Sequence, residues 1–241
     1  MGARPMTPKW DLDALLKAVG ALHGDAQVRA LQPLLPALVK QQTYTTFHHA
    51  ETRRRLGVPL AGGGGDELMP PAVLAEPELG ALHDADSDHW AREAHYAALV
   101  AGMHATVTTF SQIVYYALAL NRNFDTLLPA HDITIETVRT RMPAGNVKEA
   151  VNRMVVECDL RYLAALVALA RHHTIVATRV APIGEGMQAF EVRFTACEHG
   201  GERFPARAAE PFVHSTFQRL GGRLVAVGNV LNHQVRSQVR G

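Results

Sequence analysis

What the chain has little of narrows its class first. Two cysteines among 241 residues, Cys158 and Cys197, lie far apart and share no CxxC spacing, which excludes a disulfide-stapled scaffold and a thiolate zinc finger. A reduced, cytoplasmic chain is the simple expectation. Lysine is scarce as well, four against twenty arginines. Arginine favours planar, bidentate partners such as phosphate and carboxylate. A net charge of +1 nevertheless leaves no global field to draw the chain onto nucleic acid or an anionic membrane. The longest unbroken apolar run, near residues 162–170, falls well short of the about 20 residues of a bilayer-spanning helix, so no membrane partner is expected. Met1–Pro8 is polar and has no apolar stretch of the kind a secretory leader carries.

Reactive motifs are missing too. There is no GxSxG elbow, no GxxxxGK loop, no HExxH and no ExxH of the kind di-iron bundles use. "GGGG" at 62–65 precedes Asp66 and a proline-rich loop, not a helix, and makes a poor phosphate cradle. Thirteen histidines invite a metal reading, but their spacing does not support one. His48-His49 and His172-His173 are adjacent, about 100° apart on a helix, so neither pair chelates by itself. His83, His89 and His95 recur every six residues and fall on different helix faces. No metal and no cofactor are therefore expected, unless a site assembles from distant segments.

What is present is helical periodicity over most of the chain. Hydrophobic residues make up 47%, and a chain this long buries roughly 70% or more of the surface it exposes unfolded. Residues 1–56 read as an N-terminal helical segment. It opens with a helix at 11–22 that Asp11 caps and His23-Gly24 stops. Pro33 and Pro36 interrupt the next segment. Residues 36–56 are helical but polar, with a narrow buried seam expected through Leu38, Val39, Tyr44 and Phe47. Residues 57–88 form a Gly/Pro-rich loop, packed or lid-like, that ends in the acidic "DADSD" at 84–88. The bundle core spans 89–241. Steps of three and four at Tyr96, Leu99, Met103, Val107, Phe110, Val114 and Ala117 predict a long helix over 89–121. A short segment at 132–142 follows. A second long helix then runs over 146–171, opened by a capping-box-like Asn146 and Glu149.

After His173 the period changes to two. Phe190, Val192, Phe194 and Ala196 alternate with polar neighbours, and "PIGEG" and "HGG" supply turns. Residues 174–207 therefore predict an antiparallel insertion of two or three strands. Pro211 opens a last helix with an apolar stripe at Leu220, Leu224, Val227, Leu231 and Val235, and a kink is expected at Gly221-Gly222. The fold class is mainly α: a helical bundle with a small antiparallel β-meander inserted before the last helix, in one compact domain.

The candidate site is the end of "YLAALVALARHHTIV". Arg171, His172 and His173 follow an apolar run. Cationic residues at a helix C-terminus answer orphan carbonyls and the helix dipole. The alternative is a cleft shared with His104 and with Asn229 and Asn232 of "GNVLNH", where histidine serves as acid or base and arginine holds phosphate. "HATVTTFSQIVYYALAL", "YLAALVALARHHTIV" and "LVAVGNVLN" together resemble prokaryotic helical proteins of the HEPN superfamily, over about residues 90–235. The resemblance implies an all-α bundle, homodimerisation, a protein or RNA partner, a setting in toxin–antitoxin or antiphage defence, and in some members a metal-independent ribonuclease. The nuclease pattern is Arg, four to six residues, then His. Only Arg193–His199 and Arg207–His214 meet it, no more often than this many arginines and histidines produce by chance. At the helix end, Arg171-His172-His173 lacks the spacing. The first reading is a binding or assembly subunit. The alternatives are a ribonuclease using Arg171 with His172 or His173, and a small-molecule enzyme with a pocket between helices 89–121 and 146–171.

Overall fold

The computed structural model describes residues 9–55, 84–173, 175–184 and 187–240. The chain is mainly helical, with short antiparallel strands before the final helix. The helices are α1 (Leu12–His23), α2 (Asp25–Leu31), α3 (Leu34–Arg55), α4 (Asp84–Ala117), α5 (Ile135–Arg141), α6 (Asn146–Glu157), α7 (Leu160–Ala170) and α8 (Ala209–Arg240). The loop expected at 57–88 falls outside the described residues as far as 83, and its last five residues belong to α4.

α1 begins as its sequence predicts. The Asp11 carboxylate accepts from the Ala14 amide at 2.8 Å, and the left-handed Gly24 (φ 80°) closes the far end. α4 is the axis of the bundle and touches α2, α3, α5, α7 and α8. Tyr96, Leu99, Met103, Phe110, Ile113 and Val114 are all at most 1% exposed. Residues Ala91–Ala117 are apolar and long enough to cross a membrane by composition, although scattered threonines break every run; 56% of the most apolar window is buried inside the bundle. All five stripe residues of α8 are buried. The helix runs unbroken through Gly221-Gly222.

Two helical expectations change. The helix read over 146–171 is two, because Cys158 closes α6 and Asp159 takes left-handed angles (φ 49°, ψ 44°) before α7. Aspartate tolerates that region better than most residues. Its carboxylate is held there by Arg207, whose guanidinium also lies 4.3 Å from the Tyr162 ring centre. The capping box is also displaced. Asn146 sits inside α6 behind Gly145, which makes no side-chain cap, whereas Thr134 and Thr137 form a reciprocal box at α5.

The seam of α3 is the largest change. Leu38 is buried, but Val39, Tyr44 and Phe47 are 49%, 54% and 56% exposed. The buried line runs instead through Leu38, Thr45 and Thr52, seven residues apart. Small threonines let α3 lie close to α4. A Cβ built on Gly102 would stand 2.7 Å from Thr45 Oγ1.

Among the described residues the β insertion has five strands in two sheets, not two or three strands in one. β1 (Val176–Gly184), β2 (Met187–Phe194) and β5 (Arg207–Ala208) form the larger sheet in the order β1-β2-β5, all antiparallel. β3 (Cys197–His199) and β4 (Glu202–Phe204) make a separate hairpin. Val192 and Phe194 point into the core, as the alternation predicts, whereas Ala196 lies beyond the end of β2 and is exposed; Phe194 meets Tyr96 and Phe212 edge to face.

Candidate functional site

Arg171, His172 and His173 stand where α7 stops. Arg171 is the C-cap residue, and the His172 and His173 amides both donate to the Leu169 carbonyl, at 3.0 and 2.9 Å. All three side chains are exposed. His104, half-buried on α4, lies within the field of Arg171. Burial lowers its pKa below the usual 6.5, and the Arg171 charge lowers it further. The two groups named from distant segments are thus electrostatic neighbours.

The C-terminal asparagines part ways. Asn229 is exposed. Asn232 is buried and committed to the N-terminal segment: it accepts from Trp10 Nε1 at 3.1 Å and donates to the Asp11 carbonyl at 2.8 Å. Gly228, one turn earlier, leaves room for the Trp10 ring, which a Cβ would meet at 2.2 Å. "GNVLN" therefore docks α1. The two spans with nuclease spacing do not converge either. Arg193 donates to the Ala206 carbonyl while His199 is exposed, and Arg207 is bound to Asp159 while His214 turns to α3.

The histidines of α3 are what the sequence reading missed. His48 Nδ1 lies 3.0 Å from His95 Nδ1 on α4, and His49 Nε2 lies 3.1 Å from His214 Nδ1 on α8. Being 100° apart, the two neighbours reach two different helices. Phe47 packs edge-on against His48 and His95, and Phe217 stacks on His49 with ring centres 4.2 Å apart. Burial, then the neighbouring His214 and Arg53, lower the pKa of His49. Polar residues at His48-His49 in a polar helix carried the only sequence signal; their partners are 47 and 165 residues distant.

No group of three or more His, Cys, Asp or Glu side chains that could hold a metal occurs among the described residues. Helices α4 and α7 pack against each other, and Met103 and Phe110 on α4 and Tyr162, Leu163 and Leu166 on α7 are buried in the core, with Leu169 partly buried. Open grooves lie elsewhere, one along Asp11, Lys17 and Arg236 and another along Glu157, Arg219 and Arg223. Burial raises both cysteine thiols, Cys158 to about 11, which keeps them protonated near neutral pH. No family model, curated protein or solved structure matches the chain.

Proposed function

We propose that this chain is a HEPN-like binding and assembly subunit that pairs with a second copy of itself through the outer face of α3. One observation carries the reading: Tyr44 and Phe47 are about half exposed in the middle of α3, Phe47 at the edge of the α4 contact beside His95. Lys40, Tyr44, Phe47 and Glu51 stand at i, i+4, i+7 and i+11 and share one face. Exposed aromatic residues are what protein interfaces concentrate. The stripe is self-complementary. A two-fold axis between Thr45 and Thr46 sets Tyr44 against the second copy's Phe47 and Lys40 against its Glu51, whose carboxylate also holds Arg54 of its own chain at 2.8 Å, the isologous pattern of a C2 dimer. The resemblance of the sequence supplies the setting, a toxin–antitoxin or antiphage system in the cytoplasm.

Light scattering on the eluted protein tests this. The expected mass is twice the 26.3 kDa of one chain, falling to one chain in the Tyr44→Glu, Phe47→Glu variant. Lys40→Glu should weaken the pair, and adding Glu51→Lys should restore it. A single-chain mass for the unaltered protein at tens of micromolar would reject the reading.

A ribonuclease is the second reading, in which the Arg171 charge acts on half-buried His104. One imidazole would take the 2′-hydroxyl proton as that oxygen attacks phosphorus, a second would give a proton to the departing 5′-oxygen as its bond to phosphorus breaks, and Arg171 would stabilise charge on the phosphate. RNA cleavage in EDTA that disappears with His172→Ala would establish it.

A further inference from the structure

The assembly reading leaves four histidines on three helices without a role. The core sets their positions: Thr45 and Thr52 bring α3 close to α4, and Phe217 on α8 braces the His49 ring. Two imidazole nitrogens bound to one ion at about 2.0–2.1 Å stand roughly 2.8–3.4 Å apart at square-planar to tetrahedral angles. The nitrogens of the two pairs are already separated by 3.0 and 3.1 Å. In both pairs the ring centres are 5.3 Å apart, so the nitrogens meet head-on, as in an N–H···N hydrogen bond. Metal binding needs each ring to turn by about 40° in its own plane, which leaves the Phe217 stack on His49 in place, until both lone pairs meet at one point. The shared proton then moves to the far nitrogen of its own ring, so the neutral pair loses none.

The geometry points to two-histidine metal sites, His49–His214 between α3 and α8 and His48–His95 between α3 and α4, each taking one divalent ion of the zinc, nickel or copper class. Imidazole suits these ions. With two protein ligands the remaining positions belong to water or to a donor from a partner, so binding is exchangeable. A bound ion ties α3, the helix with the exposed aromatic face, to the rest of the bundle. The sites stand on the histidine geometry alone and do not depend on dimer formation.

Calorimetric titration of the EDTA-treated, dialysed full-length protein with zinc chloride, and separately with nickel chloride, near neutral pH tests the inference. Two ions per chain are expected, with micromolar dissociation constants. His214→Ala should remove one ion and His95→Ala the other, and His172→Ala should remove neither. Histidine side-chain nitrogen NMR of the unaltered protein keeps the test sound if a variant misfolds: zinc should shift Nε2 of His49 and Nδ1 of His214, and Nδ1 of His48 and His95. No saturable binding up to about millimolar ion, or binding unchanged in the His95→Ala, His214→Ala variant, overturns the inference, as does zinc that leaves those four resonances in place.

Discussion

Glycine and threonine decide how close α3 comes to α4. A methyl group at Gly102 would meet Thr45 Oγ1 at 2.7 Å, whereas the Thr45 Cβ is an ordinary 3.6 Å away. Gly102→Ala should therefore destabilise the protein. In a Thr45→Ala background the same change should stabilise it by up to about 1 kcal/mol, the helix-propensity gain of alanine over glycine. Urea midpoints of the four proteins read the cycle directly, and Gly102→Ala having the same sign in both backgrounds would refute the close contact. Gly222 is the contrasting case. It is exposed within α8, and no atom lies within 4 Å of its hypothetical Cβ. Gly222→Ala should raise stability by roughly 0.5–1 kcal/mol, seen as a higher thermal midpoint. The sequence showed a glycine pair in a helix in one place and a lone glycine in another. It did not show that the lone one is needed and the exposed one is dispensable.

At the scale of elements, the core helix behaves as its periodicity indicates. Phe110 is fully buried on α4 and meets Trp10 edge to face with ring centres 5.7 Å apart. Phe110→Ala should cost roughly 3–5 kcal/mol in denaturant melts, and a loss below about 1 kcal/mol would contradict its place in the core. The ends of elements were less legible. The turn at Cys158–Asp159 divides an apolar run that contains neither glycine nor proline. The partner that holds Asp159, Arg207, is 48 residues away. The inner face of α3 is hidden in the sequence for a related reason. Polar and aromatic residues recur with helical spacing on more than one side, so periodicity alone could not choose the inner face. The glycine opposite Thr45 made that choice.

The molecule as a whole should weaken in mild acid. His104 has a lowered pKa in the folded chain, from burial first and Arg171 second. Its contribution to stability is fully present above the unfolded value of 6.5 and is lost as the pH falls through the lower folded value. His23 and His49 shift in the same direction, both chiefly through burial. Urea midpoints measured in EDTA should fall between about pH 7.5 and about pH 5.5. His104→Gln should reduce that fall, and an equal fall in the variant would remove His104 as a cause.

The sequence by itself determined the class of the fold: the α1 cap at Asp11, the five-residue stripe of α8, the long α4 and the change to period two at the strands. These features depend on residues within a few turns of one another, where local hydrogen bonds and one repeating apolar face set the outcome. Tertiary structure alone decided the inner face of α3, the break at Asp159, the engagement of Asn232 with Trp10 and Asp11, and the pairing of His48 with His95 and of His49 with His214. In each case the deciding partner lies on another element. Which side of a polar helix is buried, and which imidazole faces which, is set by the shape and packing of the neighbour rather than by the segment's own pattern.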